Sequence, residues 1–475
     1  MGGFFGVISK NDCIVSLYYG TDYHSHLGTR RGGLAVSDTD GFTRIIHDIT
    51  NAQFRGKFDS DIRSMSGRQG IGVISDYEDQ PLIIGSHLGT YALVTVGKVH
   101  NSEKLIQKAY WKRSTHFSEM SGNETNQTEL IATLINQEET FGAGIFNVHE
   151  SIEGSISLLI MTNDCIYAAR DKFGRTPVVL AKGNDGYAVS TESCALPNLG
   201  FTHLRDLGPG EIIRITAEGV ETIKEPNPVL QICSFLWIYY GYPASTYEGV
   251  NVEKARYRCG VALAERDSVE IDYACGIPDS GIAHAIGYAN ARGIPYRRPF
   301  VKYTPTWPRS FMPQLQATRD LVAKMKLIPI KALTAGCRLL FCDDSIVRGT
   351  QLKDTLQRMY DYGATEVHVR PACPPLLFGC KYLNFSRSKS EFDLAGRKAV
   401  RELEGRDEAN LNEYSNCETE KYHRMIERIK QKLGVNTLQY QRLDDMVKAI
   451  GLPKDRLCTY CWDGCEGPSH QMTLL

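Results

Sequence analysis

Eight consecutive residues, Asp343-Asp344-Ser345-Ile346-Val347-Arg348-Gly349-Thr350, follow directly on an apolar run, Leu339-Leu340-Phe341-Cys342. A buried strand that runs into two carboxylates, then a Ser/Thr/Gly turn, then a helix suits a phosphorylated sugar. N–H groups at the start of the helix, with the Ser345 and Thr350 hydroxyls, can hold a phosphate. Gly349 lets the backbone approach the anion closely. Asp343 and Asp344 can accept hydrogen bonds from ribose hydroxyls, and carboxylate oxygens of this kind also suit Mg2+ shared with a diphosphate. An acid pair alone would carry little weight, because acids end many buried strands in α/β folds. The complete string is far more specific.

The elements around this string alternate. Val252 to Arg266 reads as a helix, Tyr273 to Ile277 as a strand, Ile282 to Arg292 as a helix, Arg338 to Cys342 as a strand, Gly349 to Tyr362 as a helix and Glu366 to Arg370 as a strand. Such alternation predicts βαβ units around a parallel sheet, with ligands at the carboxyl ends of the strands. Residues 1–230 read differently. Short strand-like runs such as Ile83-Ile84, Tyr91 to Val94, Ser157 to Ile160 and Glu211 to Ile215 are punctuated by Gly, Asn and Asp, with helical patterns such as Thr128 to Glu138 between them. That pattern predicts an α+β domain with stacked sheets. From about 395 to 450 the chain is charged and helix-forming, with a last helix near Leu443 to Ile450 before a cysteine-bearing tail.

The bulk properties agree with two or three domains: 475 residues exceed one ordinary core. Apolar residues make up 42% and charged residues 23%, and the net charge of −1 gives no reason to expect a nucleic acid or an anionic membrane as partner. The first residues lack the basic and apolar regions of a signal peptide, and no run is long enough to span a membrane, so a cytoplasmic location is expected. In that compartment the 14 cysteines are better read as buried thiols or metal ligands than as disulfides. Cys165, Cys337 and Cys342 lie in strand-like runs and are expected to be small core residues. Cys458-x-x-Cys461 alone is a weak metal signal, and a lone pair of this kind is better read as two buried thiols.

The string from Asp343 to Thr350 resembles the phosphoribosylpyrophosphate (PRPP) signature of type I phosphoribosyltransferases, in the form found in the glutamine PRPP amidotransferase family. Ile277-Pro278-Asp279-Ser280-Gly281 resembles that family's pyrophosphate loop, and Arg256 with Gly260 through Glu265 the helix before it. Arg170 through Pro177, Ser190 through Ala195, and Gly208-Pro209-Gly210-Glu211 resemble the late part of its glutaminase domain. The resemblance implies an α+β Ntn-hydrolase-like glutaminase domain (αββα) over residues 1–230. An α/β type I phosphoribosyltransferase domain with a parallel sheet would cover 231–395, and a C-terminal helical segment with a cysteine tail 396–475. It also implies Asp279, Ser280, Gly281, Ser345, Val347, Arg348, Gly349 and Thr350 as PRPP contacts, Mg2+ at Asp343 and Asp344, inhibition by purine nucleotides, and a homo-oligomer, dimer or tetramer.

The glutaminase half departs from the family pattern. The family's nucleophile is a cysteine exposed as the first residue, whose free amine is its base. Gly2 stands there, and Cys13 is internal. Ser75 stands where the family places the arginine that holds the glutamine carboxylate. Val96-Gly97 stands where an Asn-Gly pair forms the oxyanion hole. Gln127 stands where an aspartate binds the glutamine amine, and the segment between Tyr77 and Gln80 is short. These changes predict a domain that kept its fold and lost its chemistry. The family's closing loop also diverges. Here it reads Lys302-Tyr303-Thr304-Pro305-Thr306-Trp307-Pro308-Arg309-Ser310-Phe311, with Lys302 and Arg309 retained to neutralise pyrophosphate and two prolines added.

Some family members hold a [4Fe–4S] cluster through four cysteines. The matching positions here are Cys233, Cys380, Cys458 and Cys461, which suit a cluster, with zinc as the weaker option. The expected function is formation of 5-phosphoribosylamine from PRPP in de novo purine biosynthesis, with ammonia or another amine in place of glutamine and Lys302, Arg309, Asp343 and Asp344 as catalytic residues. The alternative is a catalytically silent paralogue that binds PRPP or nucleotides and regulates a partner.

Overall fold

The computed structural model describes residues 2–28, 30–38, 41–50, 52–111, 117–121, 124–302, 327–383, 391–406 and 410–467. Two antiparallel sheets dominate the first half. The seven-stranded sheet is centred on Gly3–Ser9, which pairs with Gln69–Ser75 on one side and Gly186–Ser190 on the other. The six-stranded sheet is centred on Gly154–Met161, between Gly89–Val99 and Ile166–Ala169. Side-chain alternation explains the stacking. Phe4 and Ile8 face the second sheet in a core with Val94 and Leu159, whereas Phe5 and Val7 face the helix Ile14–Asp22 in a separate core. The opposite face of the six-stranded sheet packs on Gln127–Ile135 and Phe141–Ser151. The result is the expected helix–sheet–sheet–helix layering.

The second half contains a parallel sheet in the order Tyr273–Gly276, Arg338–Asp343, Glu366–Pro371, Thr437–Leu438. Parallel strands are buried on both faces, and Leu339 to Cys342 divide accordingly. Leu340 and Cys342 pack on Val252–Glu265 and Gly281–Arg292, while Leu339 and Phe341 pack on Thr350–Asp361, Ala395–Glu404 and Glu420–Leu433. Asn251 caps the first of these helices by accepting from the Lys254 N–H, and Thr419 caps the last by accepting from that of Tyr422. Residues beyond 395 share the core of this sheet, and Thr437–Leu438 supplies its fourth strand.

Two cysteine positions need correction, although Cys165 is buried in the core as expected. Cys165 and Cys337 lie just before strands, at turns, and Cys337 is only half-buried; Cys342 alone of the three sits within a strand. Turn geometry sets the position of the first two, and the strand-like look of their neighbours concealed it.

The two halves are joined through buried contacts. Leu27 packs into the core around Trp237 and Tyr247. Glu192 is buried and accepts hydrogen bonds from His26 Nε2 at 3.0 Å, Tyr247 Oη at 2.7 Å, and Ser245 Oγ. Arg170 is buried and pairs with Glu248 at 2.7 Å, and Arg456 from the C-terminal segment reaches the same carboxylate at 3.6 Å.

Candidate functional site

The carboxyl ends of Tyr273–Gly276 and Arg338–Asp343 present two loops to each other. A Cβ on Gly281 would lie 2.4 Å from the Cys342 carbonyl oxygen, so only glycine permits this approach. The Pro278–Asp279 peptide between them is cis. Ser345 Oγ donates to Asp344 Oδ1 at 2.6 Å, and Ser280 Oγ donates to Asp344 Oδ2. The Asp344 N–H donates to Asp343 Oδ1 at 2.9 Å. Gly349 adopts φ +78° and begins the helix Thr350–Asp361. The Val347 carbonyl accepts from the Ala395 N–H at 2.7 Å, and Arg348 lies 3.7 Å from Asp393, so the loop is tied to the helix that follows it in space.

Burial pushes the Asp343 carboxyl well above the usual carboxylate range, and the neighbouring Asp344 charge adds to it. Burial also raises Asp344, against hydrogen bonds from Ser280 and Ser345 and the positive charge of Arg256. Arg256 is itself buried and donates to the carbonyls of Trp237 at 3.0 Å, Tyr239 at 2.8 Å and Gly241 at 2.9 Å. Lys302, at the end of the strand Phe300–Lys302, donates to Asp279 Oδ2 at 2.5 Å. Lys302 thus stands on the loop that carries Ser280 and Gly281. Arg309, with 303–326, lies outside the described residues.

The positions expected to be degenerate also come close together, but as an internally bonded region. Gly2 is packed so that a Cβ would lie 2.4 Å from the Ile74 carbonyl oxygen. Ser75 Oγ accepts from the N–H groups of Tyr77 and Glu78, each at 3.2 Å, and so closes a short turn. Val96 is buried in the core between the sheets. A Cβ on Gly97, at φ +138°, would lie 1.8 Å from the Ser155 carbonyl oxygen. Gln127 Oε1 accepts from the Val99 N–H at 3.0 Å.

Sequence reasoning missed Glu78. Its carboxylate accepts from the Gln127 N–H at 2.8 Å and from Thr128 Oγ1 at 2.9 Å, at the N-terminus of Gln127–Ile135. Burial raises its pKa and these bonds oppose the rise. An acid three residues beyond Ser75 was the available signal, but the chain gives no sign that it folds back onto a helix end.

A second constellation lies at the junction of the two halves. Cys233, Cys380, Cys458 and Cys461 line one cavity with Arg175, Phe235, Tyr382, Leu383 and Trp462; its empty space is about 260 Å³ including the part open to solvent. Cys233 and Cys458 face each other in a parallel pair of short strands, Ile232–Cys233 and Leu457–Cys458. Cys380 Sγ accepts from the N–H groups of Tyr382 at 3.4 Å and Leu383 at 3.3 Å. The Cys461 thiol and these N–H groups hold Cys380 below the usual thiol value. Burial raises Cys233 and Cys458, and Arg175 opposes the rise at Cys458. Cys373 is buried in the core and Cys465 is exposed; neither lines the cavity. Among the described residues, no group of three or more His, Cys, Asp or Glu side chains is arranged to hold a metal ion.

Residues 68–198 match a family model described as a glutamine amidotransferase domain. Curated relatives named amidophosphoribosyltransferase include one from Mycobacterium tuberculosis, 30% identical over 97% of this chain and 85% of its own length. Another, from Bacillus subtilis, is 30% identical over 97% of this chain and 93% of its own. Among solved structures, the B. subtilis glutamine PRPP amidotransferase complexed with ADP and GMP superposes with a TM-score of 0.84 at 29% identity, covering 98% of this chain and 96% of that one. A structure described as the allosteric regulatory enzyme of purine biosynthesis gives 0.83 at 28% identity, covering 100% and 98%.

Proposed function

Because this chain belongs to the amidophosphoribosyltransferase family, we propose that it transfers the phosphoribosyl group of PRPP to ammonia without hydrolysing glutamine, in de novo purine biosynthesis. The products are 5-phosphoribosylamine and pyrophosphate. The observation that carries the transferase half is the convergence of Ser280 and Ser345 on the Asp344 carboxylate, with Lys302 held on Asp279 of the same loop. Ser345, Gly349, Thr350 and the start of their helix bind the 5′-phosphate, with Val347 and Arg348 completing the loop. Asp279, Ser280 and Gly281 hold the diphosphate. Lys302 and Arg309 oppose the charge that develops on the departing pyrophosphate. Asp343 and Asp344 orient the ribose as positive charge grows at C1. Asp343 and Asp344 would also hold Mg2+, which would supply further charge for the diphosphate.

The packing of Gly2 against Ile74 and the bonded Ser75–Glu78–Gln127 region support the absence of glutaminase chemistry. On this reading residues 1–230 are a degenerate Ntn amidotransferase domain, 231–395 the phosphoribosyltransferase domain, and 396–475 the helical segment and cysteine tail. Purine nucleotides act as inhibitors, as the B. subtilis relative's complex with ADP and GMP suggests.

The four thiols fit a [4Fe–4S] cluster better than zinc. Zinc needs four sulfurs about 2.3 Å from one point, whereas a cluster binds each thiolate on a separate iron around a cage. Four thiols lining one cavity support the cluster, which would take one thiolate at each iron. The cluster's role is structural.

The test is pyrophosphate release from PRPP and Mg2+ under anaerobic conditions, with glutamine or with an ammonium salt. Release with ammonium alone is expected. Release with glutamine would overturn the loss of glutaminase chemistry. No release with either would favour the second reading, a catalytically silent PRPP- or nucleotide-binding regulator, to which Pro305 and Pro308 in the closing segment lend support.

A further inference from the structure

Arg175 is 3% exposed, and its Nε has no hydrogen-bond partner. Among the described residues it pairs with no carboxylate. Its guanidinium instead lies over the Tyr382 ring, 3.6 Å from the centroid, and 4.9 Å from that of Phe173. Its side chain lines the cavity of the four cysteines and hydrogen-bonds the Cys458 thiol, and a neutral thiol with aromatic faces is a weak counterpart for a buried full charge.

The backbone leaves Arg175 little choice of position. Its carbonyl accepts from the Cys233 N–H at 3.1 Å. The preceding loop is clamped by Arg170, which donates to the carbonyls of Gly174 at 2.7 Å and Thr176 at 2.9 Å, and by Asp171, which accepts from the Thr176 N–H at 3.0 Å. A rigid loop of the N-terminal half therefore delivers a permanent cation to a cavity whose thiols come from beyond residue 231. A guanidinium cannot lose its charge to relieve burial. A full counter-charge for it would be anionic, and a cluster held by four thiolates, Cys458 among them, carries net negative charge.

We propose that Arg175 is the built-in counter-charge of the cysteine-bound cluster, setting its reduction potential and its retention. This rests on the cluster reading above. Potentials of such clusters respond to net charge and to hydrogen bonds at their sulfurs, so a fixed cation beside the sulfurs stabilises the reduced, more negative form and raises the potential. It also makes the cluster dependent on the folded N-terminal half, a structural use for a domain whose own chemistry is absent.

The test uses full-length protein purified anaerobically, in wild-type, Arg175→Met and Arg175→Lys forms. Iron content and the absorption near 400 nm are measured first, then the midpoint potential by dithionite titration followed by electron paramagnetic resonance, then the rate of iron loss to a chelator. Arg175→Met is expected to shift the midpoint to a more negative value and to lose iron roughly tenfold faster. Arg175→Lys is expected to restore most of the potential, which a purely structural role would not do. A loaded Arg175→Met protein with unchanged potential and iron loss would overturn the role of Arg175 while leaving the cluster in place. If Arg175→Met does not accumulate, a loaded Arg175→Lys protein whose potential differs from wild type as much as a neutral residue would demand overturns it equally. Iron-free wild-type protein would overturn the cluster and this inference together.

Discussion

Cys233 and Cys458 stand opposite each other in register in a parallel two-strand pair, one at the start of the second half of the chain and the other near its end. The Ser234 N–H donates to the Cys458 carbonyl at 3.3 Å. So short a pair has little stability of its own. The segment is also held by the Leu377 and Phe378 N–H groups, which donate to the Cys461 carbonyl at 3.1 and 3.2 Å, and by Leu457 and Trp462 in the core; metal ligation that exists only in the folded state would add to these directly.

Cys458→Ser is therefore expected to abolish the absorption near 400 nm and to lower the melting temperature of anaerobically purified protein. Cys465→Ser, outside the cavity, should do neither. Iron analysis and thermal denaturation of the two variants side by side check this.

Restoring a cysteine at position 2 should not restore glutamine hydrolysis. A Cβ there meets the Ile74 carbonyl oxygen at 2.4 Å, and a main-chain group cannot move aside as a flexible side chain would. Ser75 offers no cation for a substrate carboxylate. Gly2→Cys is expected to release no glutamate from glutamine and to resist labelling by electrophilic glutamine analogues. Measurable hydrolysis would show the pocket to be merely unarmed.

Removing the Glu78 carboxylate leaves the Gln127 N–H and the Thr128 hydroxyl without their acceptor. Glu78→Ala should cost about 1–3 kcal/mol, read by urea denaturation. Pyrophosphate release with ammonium should persist, because the proposed site of transfer lies in the other half.

Glu192 provides a pH signature. Burial would raise its pKa, but hydrogen bonds from His26, Ser245 and Tyr247 outweigh burial and hold it below its ordinary value of 4.5. A carboxylate depressed in the folded state contributes stability that is present above its unfolded pKa and is lost as pH falls through its folded pKa. Wild-type protein should lose this part of its stability below about pH 4.5. Glu192→Gln should be less stable near neutrality and show a shallower fall on the acid side. Melting temperatures across pH 3–7 for both proteins test the sign.

If Asp344 holds the ribose as proposed, Asp344→Asn should reduce pyrophosphate release roughly 100-fold or more, since it would remove a preorganised charge at the reacting sugar. Gly281→Ala should impair PRPP binding because its Cβ would meet the Cys342 carbonyl. Initial rates against PRPP concentration separate the two, the first acting mainly on kcat and the second on KM.

The sequence alone determined those features that are local in the chain. Leu339 to Cys342 read as a buried strand because alternate residues must be apolar on both faces. The string from Asp343 to Thr350 read as a phosphate loop because Gly349 and the helix start lie within a few residues of the acids. The layered halves followed from the change in periodicity near residue 250. Tertiary structure decided whatever depends on partners distant in the chain. It brought Ser280 onto Asp344, folded Glu78 onto the helix that begins at Gln127, joined Glu192 to Ser245 and Tyr247, and set Thr437–Leu438 beside Glu366–Pro371. It also placed Arg175, one basic residue in a charged string, beside four thiols without a carboxylate partner among the described residues. Periodicity and spacing report on neighbours along the chain, and the field felt by a buried charge is set by neighbours in space.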